Sequence, residues 1–228
     1  MQAPTDDDAQ VIRFASTVVV LRDSDVGLET LMLKRASNLA FFGGAWVFPG
    51  GKIEPEDGDL VNGLLEAARV AGARELFEEA GIQVDADDLV PFARWITPPG
   101  RTRRFDTLYF AVCSPNTEVR LDLTESDEHR WLTPTAALEA CDRGEIEVPP
   151  PTYVTLAQLA GLPDVKQACV RLAGDMTEYV PHPCQVEGGA IAYLYAGDAG
   201  YDTSDVGAPG ARHRLWTADG SWRYERHD

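Results

Sequence analysis

Nine consecutive residues constrain this chain most: Arg74-Glu75-Leu76-Phe77-Glu78-Glu79-Ala80-Gly81-Ile82. Around them, apolar residues recur at helical spacing from Leu60 to Ala80 (Val61, Leu64, Leu65, Ala68, Leu76, Phe77), with Asp59 placed to cap the start and Gly81 to end the run. This predicts one long helix. Glu78 and Glu79 follow Glu75 by three and four residues, so three carboxylates fall on one helical face. Like charges at this spacing cost roughly 0.2–0.5 kcal/mol per pair, and more when partly buried, so a neutralising partner is expected. An acidic face turned to solvent is the competing reading of any glutamate run. Oxygen ligands with no His or Cys alongside suit Mg²⁺ or Mn²⁺ rather than Zn²⁺. Arg74, four residues before Glu78, is placed to orient one carboxylate.

The rest of the composition limits what such a cluster can serve. With 228 residues, 44% apolar and 25% charged, the chain is long enough for one main folded domain and an appendage. A net charge of −17 repels polyanions, which argues against nucleic acid polymers and anionic membrane surfaces as partners. No apolar run approaches the ~18 residues that span a bilayer, and the acidic N-terminus is unlike a secretory signal. Cys113, Cys141, Cys169 and Cys184 match no metal-knuckle or redox spacing, so reduced thiols and a cytoplasmic location are expected. His129, His182, His213 and His227 form no ligand pattern.

Strands are predicted over 12–21 and 28–34, joined by a polar turn, and the stretch 41–51 reads as a strand running into a tight glycine loop able to approach a ligand. Further strands are predicted at 90–97, 104–113 and 128–132, with helices from Thr133-Pro134 to about Asp142, over 152–160 and over 165–172. Beyond Pro163, stretches such as 191–195, 213–217 and 221–226 predict a β-rich extension. The expected division is residues 1–162 and 163–228, the second packed on the first.

The segment Arg74 to Ile82 resembles the Nudix box, Gly-x5-Glu-x7-Arg-Glu-U-x-Glu-Glu-x-Gly-U with U aliphatic, and matches its second half at every fixed position. Its first half departs. Counting back from Arg74 puts Glu66 at the glutamate and Leu60 where glycine belongs; if Gly51 is the family glycine, nine extra residues intervene. Together with Phe48-Pro-Gly-Gly-Lys52, Trp95-Ile-Thr-Pro-Pro99, Arg104-Phe-Asp-Thr107 and Pro149-Pro-Pro-Thr152, the pattern is similar to the Nudix subgroup containing peroxisomal coenzyme A diphosphatases, over roughly residues 10 to 160.

The resemblance implies an α/β/α sandwich around a mixed sheet, and metal-dependent hydrolysis of the pyrophosphate in a nucleoside diphosphate linked to another moiety. Glu75, Glu78, Glu79 and the Gly51 carbonyl would hold Mg²⁺ or Mn²⁺, with Glu75 as ligand or base. A further acidic residue comes from outside the box, Glu125 in preference to Glu128. Against the acidic background, Arg35, Lys52 and Arg104 are the expected phosphate contacts, and Lys34, Arg101 and Arg103 add local positive charge. Phe41, Phe42 and Trp46 are candidates to stack a base, although aromatics beside a glycine loop are more often core. Coenzyme A and its thioesters lead as substrate class, followed by dinucleotides such as NADH or ADP-ribose. A Nudix module that binds a nucleotide without turnover is the reading from another class. A homodimer formed through the C-terminal strands is compatible with either.

Overall fold

The computed structural model describes residues 11–38, 42–101, 103–114, 118–218 and 221–227. In chain order the elements are β1 (Ile12–Ser24), β2 (Gly27–Arg35), β3 (Trp46–Val47), β4 (Gly50–Lys52), α1 (Leu64–Ala80), β5 (Val90–Ile96), β6 (Arg104–Cys113) and β7 (Ser126–Leu132). Next come α2 (Pro134–Asp142), α3 (Pro150–Leu159), α4 (Val165–Leu172) and β8 (Thr177–Tyr179), then β9 (His182–Gln185), β10 (Ile191–Leu194), β11 (Arg212–Ala218) and β12 (Ser221–His227).

The main sheet runs β3-β2-β1-β6-β5-β8, with β4 added to β1 and β7 to β2. It is mixed: β1 and β6 pair in parallel from Ile12↔Arg104 to Leu21↔Cys113, β5 and β8 are parallel, and the other pairs are antiparallel. Alternation along β1 and β6 sorts their side chains. Val18, Val20, Leu108 and Phe110 meet α1 on one face, whereas Val19, Leu21, Tyr109 and Ala111 join the core under α2, α3 and α4 on the other. The result is the expected α/β/α sandwich.

Helix α1 is shorter than its periodicity predicts. Asp59 does not cap it; its carboxylate accepts from the Val61 N–H (2.9 Å) and the Asn62 amide (2.8 Å), shaping a turn, and Gly63 is the N-cap. Gly81 ends it in the left-handed region as expected, donating its N–H to the Phe77 carbonyl. The buried side is built from small residues (Ala67, Ala68, Ala71, Gly72) with Leu76, while Phe77 and Val61, both expected to face the core, are exposed at 56% and 89%. A helix that lies close to a sheet needs this bare face. At Gly72 a Cβ would stand 2.7 Å from Ser16 Oγ, 3.0 Å from Val18 Cγ2 and 3.2 Å from Leu89 Cδ1. Gly72→Ala therefore lowers stability by about 1–3 kcal/mol through overpacking, despite the better helix propensity of alanine. Among the described residues Ser16 Oγ has no hydrogen-bond partner, so Ser16→Ala added to Gly72→Ala recovers much of the loss. Urea midpoints of the three variants check this, and a Gly72→Ala protein as stable as the parent contradicts the packing argument.

Residues 163–228 do more than decorate this sandwich. Strand β8 becomes the edge strand beside β5, and a second antiparallel sheet, β12-β11-β10-β9, packs by its aromatic residues against the α2–α4 side. Trp95 and Tyr179 stack with ring centres 4.1 Å apart, Tyr195 meets both edge-on, and the Tyr153 hydroxyl donates to the Trp222 carbonyl (2.9 Å). Inside the extension, Arg214 donates from Nε and Nη2 to the two Asp198 carboxylate oxygens (2.7 and 2.6 Å), with neither side chain reaching solvent. Among the described residues, no helix is long and apolar enough to cross a membrane.

Candidate active site

The site forms where α1 passes over β4. The glycine stretch expected as a loop is in part a strand: Gly50 pairs with Thr17 and Gly51 with Ser16 of β1. Gly50 is required by the close approach of backbone, and Gly51 lies against the Glu75 carboxylate. A Cβ on Gly50, whose φ is 157°, would lie 2.3 Å from the Ser16 carbonyl oxygen; one on Gly51 would lie 2.4 Å from the Glu75 carboxylate carbon. The Gly51 backbone is thus pressed directly against Glu75.

The three box glutamates differ sharply in burial. Glu79 is enclosed, Glu75 is 14% exposed at its side chain and Glu78 is 53% exposed. Glu79 Oε2 accepts from the Gly50 N–H at 2.9 Å. Burial pushes the Glu79 carboxyl up to about 8, the charges of Glu75 and Glu125 push the same way, and the Gly50 N–H and Arg35 only partly oppose them. Burial likewise raises Glu75; Arg74 counters, while Glu78 and Glu125 add to the rise. Glu125, in the turn before β7, therefore has its charge directed at both inner glutamates, and its backbone carbonyl is fixed by the Ala36 N–H at 2.8 Å. Glu128 instead pairs with Arg130 (2.8 Å).

Arg74 organises the outer edge. Its Nη1 donates to Glu75 Oε1 (2.9 Å) and Glu78 Oε2 (3.0 Å), and its Nε and Nη2 donate to the two oxygens of Asp57 (2.9 and 2.8 Å). Asp57 lies in a 3₁₀ turn, Pro55–Asp57, where it also accepts from the Glu54 N–H at 2.8 Å. Burial would raise the Asp57 carboxyl, but the Arg74 guanidinium and this N–H hold it below its ordinary range. Sequence reasoning missed Asp57, although a signal was present: it stands six residues after Gly51, the Gly-x5-Glu spacing of the box with aspartate in place of glutamate. Glu66, the position reached by counting back from Arg74, is 70% exposed at its side chain and meets Arg69 at 3.8 Å. The extra residues are accommodated between Asp57 and α1. Asp57→Asn weakens the grip on Arg74, and outer-layer partners of this kind are worth roughly 10–100-fold in activity or metal affinity. The expected result is that loss in turnover with an increased Mg²⁺ requirement and an unchanged circular dichroism spectrum; wild-type kinetics contradict the role.

The remaining candidates are dispersed. Arg35, at the end of β2, directs its charge at Glu79. Lys52 is exposed on β4 and contributes its carbonyl to Arg74 Nη2 (3.1 Å). Arg104 starts β6, level with Ile12 of β1, and its Nε donates to the Thr97 carbonyl at 3.1 Å. Four residues of strand separate Ile12 from Ser16, so Arg104 stands about 13 Å along the sheet from the glutamates. Trp46 is core, with Arg130 over its ring at 4.6 Å; Phe42 is partly exposed, and Phe41 lies outside the described residues.

No three carboxylate, imidazole or thiolate groups among the described residues stand at metal-ligand geometry; Arg74 bonds both Glu75 and Glu78. The donor chemistry nevertheless fits a hard divalent cation. The donors are all oxygen, and at Glu75 and Glu79 the effect of burial and of the neighbouring carboxylates exceeds what Arg74 and Arg35 offset, so a cation there would be favoured.

A loop and helix of this kind, over a mixed sheet, define the Nudix class, and the NUDIX domain model matches residues 12–150. The chain belongs to the Nudix hydrolase family. It is 26% identical over 210 residues to putative nudix hydrolase 7 of Caenorhabditis elegans, the match covering 76% of this chain and 70% of that protein. Acyl-coenzyme A diphosphatase NUDT19 of Xenopus laevis is 25% identical over an alignment of 226 positions, gaps included, that covers 58% of this chain and 59% of that one. The human protein of that name is 36% identical over 85 residues, 23% of its length. The chain thus spans less than two thirds of these two diphosphatases. Among solved structures, a NUDIX hydrolase from Alicyclobacillus acidocaldarius superimposes with a TM-score of 0.62 at 26% identity, covering 72% of this chain and 99% of that one.

Proposed function

We propose that this enzyme hydrolyses the pyrophosphate of coenzyme A and its acyl thioesters, using Mg²⁺ or Mn²⁺ held by Glu75, Glu78, Glu79 and the Gly51 carbonyl. The observation that carries the reading is the buried Glu79 carboxylate, flanked by Glu75 and Glu125 against the Gly50-Gly51 backbone, with Arg35 alongside. Such a cluster is complementary to a cation and, beside it, to phosphate oxygens. When bound, the metal supplies charge neutralisation of the pyrophosphate and acidification of a water.

The protein residues supply the rest. Arg74, fixed by Asp57, orients Glu75 and Glu78. Glu125 completes the acidic wall, and one of these carboxylates accepts the proton of the attacking water. Arg35 and Lys52 neutralise the phosphates. Water adds to one phosphorus, the P–O bond from that phosphorus to the bridging oxygen breaks, and two phosphomonoesters leave, the two protons of the water passing to their oxygens or to solvent. The coenzyme A class is supported by the acyl-coenzyme A diphosphatases among the relatives. In this reading Arg104, remote from the glutamates, contacts a distal group such as the 3′-phosphate. A reducing, cytoplasmic location belongs to the same proposal, on the four free cysteines.

The test is a panel of coenzyme A, acetyl-coenzyme A, NADH, ADP-ribose, diadenosine polyphosphates and 8-oxo-dGTP with Mg²⁺ or Mn²⁺. Coenzyme A and its thioester should have the highest kcat/KM, and Arg104→Ala should raise KM for them more than it lowers kcat. A preference for ADP-ribose or NADH moves the substrate class. Metal binding without cleavage of any compound favours a binding module.

A further inference from the structure

Away from the carboxylate site, a cavity of about 180 Å³ opens between the end of α4, β8 and β12. Two of the residues lining it are arginines, Arg171 and Arg226. In this acidic chain most arginines are answered by a carboxylate, as in Arg22–Glu29 (2.7 Å), Arg94–Asp106 (2.6 Å) and Arg143–Glu145 (2.6 Å). Arg171 and Arg226 make no such pair among the described residues. Asp175 also lines the cavity, but it is exposed and joined to neither arginine.

The two arginines line the same cavity and share a neighbour. Both act on the hydroxyl of Tyr179, favouring its ionised form against the larger opposing effect of burial, and that hydroxyl accepts from Gln158 Nε2 at 2.9 Å. Arg226 also reaches the Tyr224 hydroxyl. The cavity therefore offers two guanidinium groups together with the neutral polar side chains of Gln158 and Thr177, and Asp175 is the one carboxylate among its lining residues. Its volume is well below the ~300–1,000 Å³ of pockets that enclose a drug-sized ligand, so it suits one compact anionic group rather than a whole nucleotide. Guanidinium forks match tetrahedral oxyanions by paired hydrogen bonds. It is also separate from the glutamates. β8 is three strands from β1, about 14 Å across the sheet.

We propose that the Arg171–Arg226 cavity is a second anion site, one that takes a phosphate group, either as free inorganic phosphate or as the phosphomonoester end of a small metabolite. The site is tested by calorimetric titration of the full chain in EDTA at low ionic strength, with inorganic phosphate and AMP as probes. Wild type and Glu79→Gln should bind one equivalent with the same affinity. Arg171→Ala and Arg226→Ala, both at exposed positions that leave the core intact, should each raise Kd at least ~10-fold, and the lysine variants should recover part of the loss as point charges. Tighter binding of AMP than of phosphate assigns the phosphomonoester; equal or weaker binding assigns free phosphate. Three results overturn the site: no binding at millimolar concentrations of either probe, unchanged affinity in both alanine variants, or loss of binding in Glu79→Gln.

Discussion

Glu79→Gln loses activity and keeps its fold. The amide preserves volume and an acceptor for the Gly50 N–H, so the bond at 2.9 Å survives, but it removes the charge a divalent cation needs most. Turnover should fall at least ~100-fold, beyond the effect of outer-layer partners, because the proposed function makes Glu79 a direct ligand. Stability in EDTA should move the other way. Burial and the neighbouring glutamates destabilise the Glu79 carboxylate, so a neutral side chain holds or raises the melting temperature. Added Mg²⁺ should stabilise the wild type and have little effect on the variant, since ligand binding to the native state is what raises its apparent stability. Melting curves with and without metal, beside initial rates, separate these effects. Full activity in Glu79→Gln removes this residue from the site.

Arg214→Ala should produce the largest loss of stability. Arg214 is 1% exposed, and its removal leaves Asp198 buried with only the N–H groups of Gly200 and His213. Breaking a buried pair by removing one partner costs about 3–5 kcal/mol, which for a chain of this size lowers the melting temperature by roughly 6–20 °C. The pH dependence has a definite sign. Burial alone would raise the Asp198 carboxyl, but Arg214 and the two N–H groups outweigh it and hold it at about 2. The contribution of Asp198 is therefore fully present above about pH 4, its unfolded range, and is lost as the pH falls toward 2. The variant should lack this acid-dependent component. A melting temperature within 2 °C of wild type would show that the pair is not needed to seat the second sheet.

The parts legible in the sequence are those with local signals. Gly81 ends α1 because only a left-handed residue can close that turn, and Thr133 caps α2 through its hydroxyl, which accepts from the Ala136 N–H at 3.2 Å. The Arg74–Ile82 spacing, with Gly51, marked the loop and helix of the site. What escaped depends on contacts between distant residues. Phe77 and Leu76 are adjacent and equally apolar, and only the close seating of α1 on Ser16 and Val18 turns one inward and the other out. Asp57 was hidden because the box is lengthened after it, so that counting back from Arg74 landed on Glu66. Asp198 and Arg214 are sixteen residues apart, and only the placing of β11 beside the loop that carries Asp198 joins them. The two arginines of the second cavity lie 55 residues apart, and no local pattern links them.

The most direct test of the central claim is the reaction of coenzyme A with the protein and Mg²⁺ in H₂¹⁸O, with products resolved by mass. Hydrolysis of the pyrophosphate predicts 3′,5′-ADP and 4′-phosphopantetheine, one ¹⁸O in one of the two phosphomonoesters, and no products in EDTA or with Glu78→Gln. Intact coenzyme A in the presence of bound metal, or cleavage that persists in EDTA, would contradict it.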